Sequence, residues 1–175
     1  LTDIAKAAEF LKDGKQAVVI GGGVVGLEAA WELKKYQCDV TILEAMPSLM
    51  SNKLDSSASH MLQEIFEANG IRILAGASTK KFEDRKIYLE DGTVIPADLV
   101  VVSCGVRANS AIAADAGVEI GRAILVNDRM ETNIPDLYAA GDCVEFEGMN
   151  YALWPEATDQ GETAGANACG DEAHY

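Results

Sequence analysis

The stretch AVVIGGGVVG, residues 17–26, decides the fold of this chain. Its first four residues form an uninterrupted apolar run, which is typical of a strand buried on both faces of a parallel sheet. Three glycines follow, and residues 24–36 then have the apolar spacing of a helix. Residues 40–43, VTIL, form a second apolar run. The order strand, loop, helix, strand predicts the β-α-β unit that builds parallel sheets.

The loop GGGVVG matches the pattern G-x-G-x-x-G between a strand and a helix, which is where that pattern binds a dinucleotide. Gly21 permits a tight turn, Gly23 lets the backbone approach a pyrophosphate, and Gly26 lets the helix pack closely on the strand. The N–H groups at the start of the helix attract phosphates. We therefore expect the whole loop to contact the cofactor: Gly21, Gly22, Gly23, Val24, Val25 and Gly26.

Glu44 ends the second apolar run and is the expected acidic partner of the loop. A carboxylate there accepts hydrogen bonds from the adenosine ribose hydroxyls and repels a 2′-phosphate. Ala45 and Met46 follow, where NADP sites usually carry arginine. The sequence therefore predicts NAD(H) rather than NADP(H). The alternative is a solvated carboxylate at the end of a strand.

The rest of the pattern predicts an α/β fold: a Rossmann-like dinucleotide-binding domain with a central parallel sheet plus a small β-meander. We expect this domain to span residues 15–128, with flanking segments at 1–14 and 129–175. The expected elements are helices over 3–13, 55–69, 109–116 and 156–168, strands over 71–74, 98–103, 122–126 and 137–140, and a hairpin over 81–95 around Asp91-Gly92.

Charge and cysteine content narrow the function classes. The net charge of −14 disfavours nucleic acid and anionic membrane surfaces as partners. No apolar run reaches the roughly 18 residues that cross a bilayer. The four cysteines include no CxxC pair, so no metal site is expected, and a reducing, cytoplasmic location follows. Cys38 and Cys104 are expected to be core thiols. His60 and His174 are expected at the surface.

A second motif is TNIPDLYAAGD, residues 132–142, in which a short apolar strand ends in Gly141-Asp142. An aspartate at the carboxyl end of a strand can bind a ligand hydroxyl. Together with residues 17–44 and SCGVRAN at 103–109, this motif resembles those of the pyridine nucleotide-disulfide oxidoreductases, FAD enzymes with two nested dinucleotide-binding domains. The resemblance is strongest to the branch of NADH:rubredoxin reductases, NADH oxidases and nitrite reductase flavoproteins.

The resemblance implies several further roles. Asp142, with Gly141, would bind the ribitol of FAD, and the segment with Cys104 and Gly105 would lie beside the bound nicotinamide nucleotide. Glu28 would approach the nicotinamide carboxamide; from its position alone, it is a favourable charge near a helix N-terminus. Trp154-Pro155 and Gln160-Gly161 would lie near the isoalloxazine.

The implied function is hydride transfer from NADH to the flavin and on to an acceptor such as rubredoxin, oxygen, a disulfide or a nitrite-reducing centre. NADH, FAD and an acceptor protein or small molecule are thus the expected partners. Because the flavin does the chemistry, no protein side chain is expected to be catalytic. The alternative is a stand-alone NAD(H)-sensing module without catalysis, which has no need of residues 132–142. A short-chain dehydrogenase is disfavoured because no tyrosine has lysine four residues later.

The sequence departs from the family pattern in three places. Ala108 replaces a proline, and Val24 stands where many disulfide reductases carry a tyrosine that covers the flavin. Only one glycine loop occurs, although the family has two. We therefore expect a fragment, inactive alone, in which residues 1–14 and 129–175 belong to an incomplete FAD-binding domain. The resemblance also leaves a homodimer open.

Overall fold

The structure is a computed structural model that describes residue 10 and residues 15–175. The helix expected over residues 3–13 lies outside this part of the chain, except for Phe10. The chain divides into two compact units between Gly105 and Val106.

The first unit alternates strands and helices and then adds three short strands. Its elements are β1 (Gln16–Ile20), α1 (Val24–Lys34), β2 (Asp39–Glu44), α2 (Ser56–Ala68), β3 (Ile71–Ala75), β4 (Thr79–Glu83), β5 (Lys86–Leu89), β6 (Val94–Pro96) and β7 (Leu99–Val102). The strands β1, β2, β3 and β7 lie where the sequence predicts them. Helix α1 ends two residues earlier than expected, and α2 begins after Asp55, whose carboxylate accepts the N–H of Ala58 at 2.8 Å as an N-cap.

The main sheet has four parallel strands in the order β3-β2-β1-β7. Strand β1 is central and buried on both faces, which explains its uninterrupted apolar run. Val19 packs into the cluster that includes residues of α1 and α2, whereas Val18 packs into the cluster that includes residues of the meander. This is the expected Rossmann-like fold. Strand β7 differs from the prediction of a buried strand: Val102 is 70% exposed, because among the described strands β7 pairs only with β1.

The small meander is the antiparallel sheet β4-β5-β6. The predicted turn at Asp91-Gly92 is confirmed, and the carboxylate of Asp91 accepts the N–H of Thr93 at 2.8 Å. The turn between β4 and β5 was missed because Asp84 and Arg85 both have positive φ without a glycine to mark them. Asp98 fastens the meander to β1. The N–H of Gln16 and, less strongly, the guanidinium of Arg85 lower the pKa of its carboxyl group.

The second unit has little regular structure. Its elements are α3 (Ala111–Asp115), β8 (Ile124–Leu125), a 3-10 turn (Gly141–Cys143), β9 (Val144–Glu145) and α4 (Trp154–Ala168). Strand β8 pairs with β9 in parallel, so the strand expected over 122–126 is present but short. The prediction of a strand over residues 137–140 is wrong, because within the described residues this segment makes only a single bridge, between Tyr138 and Glu131. Helix α4 begins two residues early, with Pro155 in its first turn.

Within the described residues, no helix combines the length and apolarity needed to cross a membrane. Cys38 is fully buried, as expected for a core thiol. His60 and His174 have exposed side chains, which confirms their expected surface positions.

Two glycines allow α1 to start directly beside the sheet. Gly21 has φ +111°, and a Cβ on it would lie 2.1 Å from the carbonyl oxygen of Ser103. A Cβ on Gly26 would lie 2.0 Å from the carbonyl oxygen of Gly21. Both distances are far below van der Waals contact. The atoms that a Cβ would meet belong to the backbone, which cannot move freely. The turn and the close helix packing predicted for these two positions are therefore present.

The substitution Gly26→Ala should destabilise the chain by about 1–3 kcal/mol, because the added methyl group forces α1 away from the end of β1. Gly23→Ala is the matched control in the same loop. A Cβ on Gly23 meets nothing within 4 Å and its φ is −82°, so it should cost less than about 1 kcal/mol. Urea unfolding followed by circular dichroism measures both. Equal costs for the two variants would contradict this account of the loop.

Candidate functional site

A cleft of about 770 Å³ opens at the carboxyl ends of the parallel strands in the first unit. Its walls come from the residues that follow β1, β2, β3 and β7. Parallel α/β sheets bind ligands at this edge, since loops from neighbouring strands converge there. The cleft is therefore the candidate ligand site of the unit.

The N-terminus of α1 faces this region without a side-chain cap. Gly23 is the N-cap residue in extended conformation, its carbonyl accepts the N–H of Leu27 at 2.9 Å, and no side chain caps it among the described residues. The first N–H groups of a helix have no partner within the helix. The first turn also carries no acidic residue, although the chain has a net charge of −14. The helix dipole and these N–H groups make this end suited to an anion.

Glu44 connects the glycine loop to the end of β2. Its Oε2 accepts the N–H of Gly22 at 2.6 Å, and its Oε1 accepts the N–H of Met46 at 2.7 Å. The carboxylate therefore has a structural role that the sequence did not reveal. Each oxygen keeps a second lone pair, and Glu44 is half-buried at the cleft wall. The same carboxylate can hold the loop and accept ligand hydroxyls.

The structure brings five of the predicted residues together around the cleft: Gly21, Gly23, Glu44, Cys104 and Gly105. Gly22 and Gly26 are buried parts of the glycine loop, whereas Val25 is exposed. Val24 and Glu28 line a different, largely apolar groove of about 430 Å³ between α1 and α2. The nicotinamide contact expected of Glu28 stays a prediction.

The expectation that Cys104 is a core thiol is wrong. Cys104 is exposed, and its Sγ lies 3.6 Å from the carbonyl oxygen of Ile20. Strand β7 ends at Val102, so Cys104 falls beyond the sheet and at the rim of the cleft. An apolar run in the sequence does not show where the buried part of a strand stops.

Sequence reasoning missed two further segments that line the cleft. Ser51 and Asn52 come from the loop after β2, and residues 77–79 follow β3. No motif marks these residues. Their position after the ends of neighbouring parallel strands is the one signal that could have found them.

The second unit presents Gly141 and Asp142 in a 3-10 turn. Gly141 has φ +85°, and its N–H donates to Oε1 of Gln160 at 2.9 Å. The side chain of Asp142 is exposed, and no hydrogen bond to its carboxylate occurs in the described part of the chain. The turn is thus fixed through its backbone, while its carboxylate faces outward.

A glycine loop entering a helix beside a parallel sheet, with an acidic residue after the next strand, defines the class of Rossmann-like dinucleotide-binding proteins. The chain belongs to the pyridine nucleotide-disulphide oxidoreductase family, whose sequence profile matches residues 2–161. The resemblance inferred from the three motifs is confirmed.

Relatives within this family have different activities. The chain is 39% identical to the nitrite reductase [NAD(P)H] of Bacillus subtilis (strain 168), over 98% of this chain and 22% of that protein. It is 35% identical to the NADH-rubredoxin oxidoreductase of Clostridium acetobutylicum, over 99% of this chain and 43% of that protein. The solved NAD-dependent persulfide reductase of A. fulgidus superimposes with a TM-score of 0.88 at 32% identity, over 98% of this chain and 34% of that chain. The chain thus spans less than half the length of these relatives.

Replacing Glu44 with alanine should destabilise the chain by about 1.5–3 kcal/mol, because the N–H groups of Gly22 and Met46 lose a charged acceptor. Hydrogen exchange of those two amides should also become faster. Glu32→Ala is the control: Glu32 pairs with Lys35 on the exposed face of α1, and its loss should cost at most about 0.5 kcal/mol. Unchanged exchange at Gly22 in Glu44→Ala would contradict the anchoring role.

Proposed function

We propose that this chain supplies the NAD(H)-binding part of an FAD-dependent NADH oxidoreductase. The observation that carries the proposal is the cleft itself, where an uncapped helix N-terminus, an open Gly23 and the carboxylate of Glu44 share one edge of the sheet. The family of the chain supports the oxidoreductase class.

In this proposal each part of the cleft binds one part of NADH. The N–H groups at the start of α1 bind the pyrophosphate, and the absence of a side chain on Gly23 lets it approach the backbone. The remaining lone pairs of the Glu44 carboxylate accept hydrogen bonds from the adenosine ribose hydroxyls. Gly105 lies at the cleft wall and would be beside the nicotinamide end. The protein thereby orients the dihydronicotinamide and excludes water, which is its contribution to hydride transfer.

The residues present also fit part of a flavin site. When bound, FAD accepts a hydride from NADH and passes the electrons on to the acceptor. The exposed carboxylate of Asp142 would accept a hydrogen bond from a hydroxyl of the ribityl chain. This turn favours an oxidoreductase over a stand-alone NAD(H)-sensing module, which has no use for it.

The acceptor is an electron-carrier protein or a small molecule. Relatives are named for nitrite and for rubredoxin, so the family alone does not select one. The net charge of −14 would slow the approach of an acidic carrier, so such a carrier needs a local docking face. The cytoplasmic location, the homodimer and the absence of nucleic-acid partners stay predictions.

The chain should bind NADH at least about tenfold more tightly than NADPH, because a 2′-phosphate would lie against the carboxylate of Glu44. Isothermal titration calorimetry measures both affinities. Glu44→Gln should reduce the difference to about threefold or less by removing the negative charge. Glu67→Gln, an exposed substitution on α2, is the control and should leave it unchanged. Equal affinity of the wild-type chain for both nucleotides would refute the role of Glu44.

Asp142→Asn should weaken FAD binding by about tenfold in the protein expressed at the full length that its gene encodes, because a charged acceptor is lost. Asp136→Asn is the matched control: it is exposed, lies in the same motif and has φ +60°, which asparagine tolerates. Flavin titration followed by fluorescence measures both. Equal FAD affinity for the two variants would remove Asp142 from the flavin site.

A further inference from the structure

Gln160 is a polar side chain buried within the second unit. It lies in the middle of α4 and is only 2% exposed. Its Oε1 accepts the N–H of Gly141 at 2.9 Å. Burial of an amide side chain is unfavourable unless its polar atoms have hydrogen-bond partners, so the bond to Gly141 offsets the cost of burying Gln160.

The backbone of the 3-10 turn is held from two sides. Gln160 holds Gly141 at its start, and the Nδ2 of Asn150 donates to the carbonyl oxygens of Asp142 and Val144 at 2.9 and 2.7 Å. A Cβ on Gly141 would lie 3.5 Å from the Cβ of Ala157, so the turn rests directly on α4. These contacts fix the backbone that carries the Asp142 carboxylate.

The hydrogen bond to Gly141 fixes which way the Gln160 amide points. A backbone N–H can only donate, so the amide oxygen faces Gly141 and the NH₂ group points away from it. The phenol of Tyr175 lies near this side chain: burial raises the pKa of the phenol, and a hydrogen bond with Gln160 acts in the opposite direction.

Two other buried polar residues on α4 do not contact the turn. The hydroxyl of Thr163 donates to the carbonyl oxygen of Asp159 within the helix at 3.0 Å. The side chain of Asn167 bonds to Arg129 and Ala173. Asn167 contacts the motif at residues 132–142 through its backbone, because its carbonyl oxygen accepts a hydrogen bond from the hydroxyl of Tyr138 at 3.3 Å. Among the buried polar side chains described on α4, Gln160 is the one that is bonded to the turn Gly141–Cys143.

We propose that Gln160 is a positioning residue for the flavin: through its hydrogen bond to Gly141 it orients the turn so that the Asp142 carboxylate meets the ribityl chain. The inference rests on the proposed function of Asp142. It differs from the expectation that Gln160 itself lies against the isoalloxazine, because its buried amide is already engaged with Gly141.

The test measures FAD affinity and the urea unfolding midpoint of the protein expressed at the full length that its gene encodes. Gln160→Met keeps the size of the side chain but removes the acceptor, and should weaken FAD binding about tenfold. Gln160→Glu keeps an acceptor oxygen and should restore FAD affinity to within about threefold of wild type. Thr163→Val is the control for loss of a buried polar group on the same helix face, and should leave FAD affinity unchanged.

The outcomes separate the two proposals. If Asp142→Asn weakens FAD binding but Gln160→Met does not, the positioning role is overturned while the flavin site stands. If Thr163→Val weakens FAD binding as much as Gln160→Met, or Gln160→Glu fails to restore it, Gln160 acts only through stability and the inference is wrong. If Asp142→Asn has no effect, the flavin proposal fails first. Should Gln160→Met not fold, Gly141→Ala strains the same turn at φ +85° and must weaken FAD binding for the inference to stand.

Discussion

The contact between the backbone of Gly21 and that of Gly26 is the constraint on which the first unit depends. It lets α1 begin where β1 ends, and no side chain larger than hydrogen fits at Gly26. Because the helix starts so close to the sheet, its N-terminus faces the carboxyl ends of the parallel strands. The uncapped N-terminal end of the helix, which suits an anion, and the carboxylate of Glu44 therefore share one cleft.

Glu44 gives this arrangement part of its rigidity and, in the proposed function, its selectivity for NADH. The same carboxylate holds the N–H groups of Gly22 and Met46 and faces the cleft. A loop that is already fixed loses less conformational entropy when a dinucleotide binds. In the second unit, Gln160 holds the turn before Asp142 in a comparable way, with a buried side chain fixing backbone beside an exposed carboxylate. In both places the residue that organises the backbone differs from the glycines that mark the motif.

The sequence alone was sufficient for the features that depend on local pattern. The buried strand β1, the glycine loop, Glu44 and the turn at Asp91-Gly92 follow from periodicity, glycine spacing and turn chemistry. Features that depend on spatial neighbours were missed. Cys104 is exposed because β7 ends at Val102, before this residue. Residues 137–140 do not form the predicted strand, because within the described residues they make a single bridge, between Tyr138 and Glu131. The expected domain boundary at residue 128 stays a prediction.

The most direct test of the central claim is a nuclear magnetic resonance titration of this chain with NADH. The account predicts that the largest shifts of backbone amide signals occur at Gly23 and Val24, at the start of α1, and at Met46 beside Glu44. Amides of the meander turn at Asp91-Gly92 should stay unchanged. Saturable shifts centred elsewhere, or no shifts at millimolar NADH, would show that the cleft is not the dinucleotide site.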